Sequence, residues 1–475
     1  MANNDVIGHW INNKFEAAVE GGVLDVLNPL DDSPFAQVAD GSPADVDKAV
    51  RSAHEAFQTY RHSTPIEREA WLGKTAELLE QRKDEFVDLL INEGGSTFRK
   101  TQFETAKGIA FVRAAIGMVR QVSGKTLPTD FPPRVSMSWR SPRGVVAIVT
   151  PFNVPFIKAC RLAANALATG CTAVLLPSEE HPVLSLRFAE VLAEAGFPPG
   201  ALNVVAGNGY KIGDSLTAHP LVSAVTFTGS TVVGKHIQKL CAENNRPVTL
   251  ELGGKNPLII MDDADLEKAV QGAVMGSFLH QGQACIGSSR VYVQKGIYPK
   301  FVEAFKKVVS GLSMGELRDP NTVIGPIISQ RQRDRIKRHI EDARAKGAEV
   351  ATGGNWDGNR CEPTILLNVK EGMDIFREET FGPALCIYQF EDFEEVMQRA
   401  NDTNYGLSSA IYTSNIQKAL DFARNIEAGM VHINGPSVSD EAHVPFGGVG
   451  DSGFGREGTE EDIEAFTELK WVTMQ

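Results

Sequence analysis

Cysteine is scarce in this chain. Only six occur in 475 residues, at Cys160, Cys171, Cys241, Cys285, Cys361 and Cys386. No two form a CxxC pair, so neither a zinc framework nor a disulfide scaffold is expected, and no metal is predicted. Positive charge is short as well: 47 Lys and Arg against 60 Asp and Glu give a formal net charge of −13, with no block of like charge. A nucleic-acid partner or an anionic membrane surface is therefore not expected. No apolar run reaches the roughly 18 residues needed to span a bilayer. The opening MANNDVIGHWINNKF lacks a basic region followed by an apolar stretch, so no signal peptide is expected. These absences point to a cytoplasmic, reduced setting. Repeats and low-complexity linkers are missing too.

What is present is an ordinary globular composition, 42% hydrophobic and 23% charged. The chain is too long for one core, and domain sizes suggest roughly two to four units. A helix is predicted from SPADVDKAVRSAHEAF, with Ser42 as cap, Pro43 at the first helical position, and Val46, Val50, Ala53 and Phe57 on one face. From Gly144 short apolar runs alternate with helical stretches: GVVAIVT, TAVLL, ALNVVAG, AVTFTGS and VTLELGG. Such runs read as strands of a parallel sheet buried on both faces. A second set follows Cys285, with RVYVQ, ILLNV, ALCIYQF, SSAIYTS and MVHIN. Two α/β domains are expected, followed by a terminal strand, AFTELKWVTM, that pairs elsewhere.

A GxGxxG string at Gly448, Gly450 and Gly453 is rejected as a dinucleotide site. It follows PF rather than a buried strand, and no acidic residue follows at the end of a second strand. FTGSTVVGKHIQKL is better placed, because a strand ends at Gly229-Ser230 and a helix begins at once. The free N–H groups and dipole of a helix start favour a diphosphate, although an ordinary strand-to-helix turn has the same local pattern.

Three residues invite catalytic readings. Cys285, in HQGQACIGSS, lies among small residues after a long apolar helix pattern; an inert core thiol is the commoner fate. Glu251 ends an apolar run before Gly253-Gly254, where a carboxylate is costly unless used or paired. The glycines would give a general base room to move; a capping or salt-bridged Glu is the alternative. Asn153, between two prolines in TPFNVPF, can donate to an oxyanion or form an Asx-turn.

Six strings in order, VTPFNVP, FTGSTVVG, LELGGKNP, GQACIGS, EETFGP and PFGG, resemble the motifs of the aldehyde dehydrogenase superfamily over about residues 8–472. The resemblance implies an α/β fold with a Rossmann-type NAD-binding domain (1–118 and 142–251). An α/β catalytic domain (252–448) and a small β oligomerisation element (119–141 and 458–475) would complete it. It implies that Cys285 attacks an aldehyde, that Asn153 and the Cys285 N–H hold the oxyanion, and that Glu251 activates the hydrolytic water. Glu379 would hold the nicotinamide ribose, Phe381 would pack on the ring, Gly229 and Ser230 would meet the diphosphate, and Asn434 would support the active-site wall. Thr150, Pro151 and Phe152 would border the cofactor.

Two positions depart from the family pattern. Leu176 stands where a lysine usually precedes PSE, and Gly450 where one follows PFGGV. With Glu179 offered to ribose hydroxyls and no cation beside it, NAD is expected over NADP. The strings INGPSVSDEAHVPFGG and PFIKACRLAANALA look like the aromatic-aldehyde branch. Arg161 in the latter is expected either to face a ring substituent or to form a helix-surface salt bridge. The resemblance further implies a small aldehyde as partner and a homodimer or homotetramer. The competing readings are a CoA-acylating enzyme, which would not need Glu251, and a non-catalytic protein on the same fold.

Overall fold

The structure, a computed structural model, describes residues 6–475. Its larger sheet has eight strands. In spatial order these are Lys14–Glu16, His9–Ile11, Leu202–Val204, Thr172–Leu176, Val145–Val149, Val222–Thr228, Val248–Glu251 and Gly453–Phe454. The middle five are parallel, and Thr172–Leu176 is buried along its whole length. All five apolar runs after Gly144 are strands in this sheet. The predicted helix spans Pro43–Tyr60, buries Val46, Val50, Ala53 and Phe57, and begins where Asp45 accepts from the Ser42 N–H and hydroxyl.

Strand order carries the functional information. From Val145–Val149 the chain steps outward through Thr172–Leu176 and Leu202–Val204. It then returns to the other side for Val222–Thr228 and Val248–Glu251. The reversal opens a crevice between Val145–Val149 and Val222–Thr228 at their C-terminal ends. In open α/β sheets that switch point is where ligands bind.

The second sheet has seven strands, ordered Glu349–Thr352, Thr364–Leu367, Ala384–Phe390, Ser288–Gln294, Asn256–Ile260, Ser408–Tyr412 and Met430–Ile433. All are parallel except the first. Its interior strand Asn256–Ile260 precedes Cys285 and escapes the sequence reading, which starts this set after the cysteine. NPLII is short and opens next to a proline, so it resembles the tail of the Glu251 loop.

The terminal strand Thr467–Met474 lies outside both sheets. It pairs antiparallel with Val135–Pro142, and Lys125–Leu127 completes a three-stranded ribbon. The preceding helix Thr459–Phe466 buries Ile463 and Phe466 in the core of the first sheet. Among the described residues no helix is long and apolar enough to cross a membrane.

Candidate active site

Glu251 ends a strand of the first sheet and Asn256 begins one of the second, so Leu252–Lys255 bridges the two. Cys285 approaches this bridge from the other side. The helix Leu266–Phe278 stops at a single turn, Leu279–Gly282, in which His280 and Gln281 take left-handed φ values of 50° and 46°, uncommon without glycine. The following loop is held by its carbonyls. Asn153 Nδ2 donates to Gln283 O at 3.0 Å, Asn256 Nδ2 to Cys285 O at 2.7 Å and Gly287 O at 2.9 Å, and Ser437 Oγ to Ile286 O at 2.7 Å. Of the six cysteines, only Cys285 is partly exposed.

Asn153 does not form the Asx-turn. Two residues on stands Pro155, which has no N–H to give, and the start of helix Pro155–Ala168 is capped instead by Glu104, which accepts from Phe156 N–H at 2.9 Å. One Asn153 amide hydrogen goes to Gln283 and the other is left over. The two glycines after Glu251 have a reason beyond freedom of movement. A Cβ at Gly253 would lie 2.6 Å from Glu379 Oε2, and one at Gly254 2.4 Å from Cys285 O.

Burial pushes the Cys285 thiol up to about 12; Lys158 opposes this, while Glu379 and Glu251 add to it. Glu251 is 2% exposed and neither carboxylate oxygen has a hydrogen-bond partner. Burial holds its carboxyl well above the ordinary range, with Glu457 reinforcing and Lys158, Arg161 and Arg456 opposing. Space for it comes from Gly447, where a Cβ would sit 2.4 Å from Glu251 Oε1. A carboxylate of raised pKa whose charge is felt by the Cys285 thiol is a better proton acceptor than an ordinary one.

The residues around the crevice fit a dinucleotide. Ser230 and the first turn of helix Thr231–Glu243 are open, with Val232 80% exposed. Thr150 Oγ1 is buried and unpartnered. Phe152 and Phe381 meet edge to face with centroids 5.7 Å apart, flanked by Pro151. Glu379 accepts from Gly254 N–H at 2.8 Å, and burial raises its carboxyl. Glu179 follows the strand Thr172–Leu176, its carboxyl raised first by burial and then by Glu180. The expectation that no cation stands near it needs correction. Arg331, from the helix Gln330–Ala345 of the second half, approaches Glu180 at 3.9 Å and opposes the Glu179 shift. It lies 152 positions from Glu179, beyond the reach of a local reading.

Arg161 departs from one of its two expected roles, the helix-surface salt bridge. Its helix is buried on every face, so it has no surface salt bridge to make, and its guanidinium is no free cation. It is 1% exposed, donates to both oxygens of Asp440 at 3.2 and 3.0 Å, and lies 3.4 Å from Glu457. Phe111 and Phe446 flank it at 5.0 and 5.6 Å. Asn434 is exposed and exchanges hydrogen bonds with Thr413 rather than touching the Cys285 loop. Gly450 and Gly453, from the rejected glycine string, belong to two short strands, the second pairing with Leu250-Glu251.

Sequence reasoning missed Lys158, which lies 2.7 and 2.8 Å from the two oxygens of Glu457, with 5% and 0% of the side chains exposed. A signal existed: Lys158 and Arg161 are three apart, hence neighbours on a helix that is apolar apart from them and Asn165, and buried charges require partners. The triad His339, Asp374 and Glu378, close enough together to suggest a metal, is bridged by Arg338 at 2.8 and 3.2 Å.

The sequence model of the aldehyde dehydrogenase family matches residues 16–472. A vanillin dehydrogenase of Pseudomonas fluorescens is 40% identical over 96% of this chain and 95% of its own. An NADP(+) succinate-semialdehyde dehydrogenase of Escherichia coli is 36% identical over 97% and 96%. Among solved structures, a salicylaldehyde dehydrogenase from Pseudomonas putida G7, complexed with salicylaldehyde, superimposes with a TM-score of 0.96. It shares 35% identity over 98% of both chains.

Proposed function

The chain belongs to the aldehyde dehydrogenase family and oxidises aldehydes to acids, and from that premise we propose that it is an NAD-preferring, hydrolytic enzyme for aromatic aldehydes. The observation that carries the mechanism is the pairing of the one partly exposed cysteine with a buried carboxylate whose two oxygens have no partner. The Cys285 thiol, partly exposed, gives up its proton to solvent; the thiolate sulfur adds to the carbonyl carbon and the carbonyl electron pair moves onto oxygen. The spare Asn153 amide hydrogen and the Cys285 backbone N–H hold that oxyanion. Bound NAD supplies the hydride acceptor. Glu251 then takes a proton from water, whose oxygen attacks the thioester carbon; the C–S bond breaks and the acid leaves. Glu379 orients the nicotinamide ribose, Phe152 and Phe381 exclude water, and the open helix start at Ser230 takes the diphosphate.

The aromatic preference draws support from the segment Ile433–Gly448 and from relatives named for vanillin and salicylaldehyde. NAD is favoured because Glu179 repels a 2′-phosphate and Leu176 offers it nothing. Assembly into a homodimer or homotetramer uses the terminal ribbon. Leu469 and Trp471 are exposed on one of its faces and Trp139 and Met474 on the other, and uncovered apolar edges invite association. A panel of aldehydes with NAD and NADP tests the whole reading. Benzaldehydes with NAD should give at least about tenfold higher kcat/KM than succinic semialdehyde, a difference of roughly 1.4 kcal/mol. Parity between them refutes the aromatic preference, and parity between the cofactors refutes the role of Glu179.

A further inference from the structure

The adenosine end of the crevice contains a cation that the first half of the chain does not supply. Strand Thr172–Leu176 ends in a buried leucine, and Glu179 lies just beyond. A Cβ on Gly209 would come within 3.9 Å of Glu179 Oε2, so the helix Gly209–Thr217 begins against this carboxylate. The next residue, Tyr210, is 75% exposed, and its hydroxyl lies 3.4 Å from Arg331 Nη1. Arg331 Nη2 is 3.9 Å from Glu180 Oε1. The arginine is 56% exposed and stands in the first turn of helix Gln330–Ala345. It therefore reaches from the second half of the molecule across the mouth of the site.

We propose that Arg331 is a specificity-determining residue that serves the adenosine 2′ position, replacing the cation missing at Leu176 and allowing a 2′-phosphate to be accepted. The inference rests on the proposed reading that the adenosine ribose lies at the end of strand Thr172–Leu176. The long contact to Glu180 is weak, so the guanidinium is free to turn. Its planar fork suits two phosphate oxygens. Glu179 repels the same phosphate, and the two opposed charges leave the enzyme tolerant of NADP. A lysine at position 176 would instead hold the cation within the first half, independent of how the halves approach.

Isothermal calorimetry on the full chain with 5′-AMP and with adenosine 2′,5′-bisphosphate separates the possibilities. Arg331→Gln should weaken the bisphosphate about tenfold, change 5′-AMP less than twofold, and lower kcat/KM with NADP more than with NAD. Arg331→Lys should recover most of the bisphosphate affinity. Equal weakening of both nucleotides, or no change in either, overturns the proposal. Glu179→Ser provides the control on the reading beneath it: it should strengthen the bisphosphate in wild-type and Arg331→Gln backgrounds alike. If Glu179→Ser changes nothing while Arg331→Gln acts as expected, the placement of Glu179 fails and the role of Arg331 stands. A wild type that binds neither nucleotide overturns both.

Discussion

Replacing Lys158 by Met removes the ammonium that faces Glu457, Cys285 and Glu251 together. Lys158 and Glu457 are 5% and 0% exposed, with the nitrogen 2.7 and 2.8 Å from the two oxygens. Removing one partner of a buried pair costs about 3–5 kcal/mol, because the other charge stays desolvated. Glu457 keeps Arg161 at 3.4 Å, so the low end, about 3 kcal/mol, is expected. Lys158→Met/Glu457→Gln should recover most of it, as no lone charge remains. The pH profile provides a second, independent readout. Lys158 opposes the upward shifts of both Cys285 and Glu251. Both groups must lose a proton to act, and without the ammonium both lose it at higher pH. The rising limb of kcat/KM in Lys158→Met should therefore move to more alkaline pH and activity at pH 7 should fall. Urea titrations measure the stability arm and initial rates from pH 6 to 10 the other. Wild-type stability together with an unmoved limb would refute the reasoning.

Cys285→Ala should abolish dehydrogenase activity while leaving the denaturation midpoint near wild type; activity within about tenfold, roughly 1.4 kcal/mol of barrier, would sink the nucleophile assignment. Glu251→Gln should slow deacylation more than hydride transfer, so rapid mixing should show a burst of NADH close to one per site. Loss of the burst would mean that Glu251 acts before the acyl-enzyme forms. Leu469→Lys/Trp471→Lys places two charges on an exposed apolar face and should convert an oligomer into a monomer of 51.5 kDa in sedimentation. A wild type that already runs as that monomer would remove the premise.

Strands were legible wherever burial on both faces left an unbroken apolar run, and Val145–Val149 and Ser408–Tyr412 are of that kind. NPLII was not, because five residues after a glycine turn carry no period that separates a strand from a loop. Cys285, Glu251 and Asn153 could be read because each follows a recognisable strand or helix end. What each side chain touches depends on segments far away. Arg161 illustrates this, for its sequence neighbours are apolar and its two carboxylates come from 279 and 296 positions further along. Arg331 does too, since nothing in SQRQRDRIK distinguishes the guanidinium that crosses to Tyr210 from that of Arg333, which pairs with Asp32.

An energetically costly arrangement lies at the candidate active site. An isolated carboxylate in the interior ordinarily finds partners or is lost, because burial without hydrogen bonds costs several kcal/mol. Glu457 follows that rule, with Lys158 and Arg161 both beside it. Glu251 does not: the same cations act on it from a distance, yet no donor meets either oxygen. Gly447 keeps the space beside Oε1 clear, and any larger residue there would enter it. A fold that supplies partners for Glu457, Asp440 and Asp462 but leaves this carboxylate bare is keeping its lone pairs for something that arrives later. Water bound for a thioester on Cys285 meets that description, and Gly447→Ala, which fills that space and also strains the backbone at φ 150°, should slow hydrolysis more than the first hydride transfer.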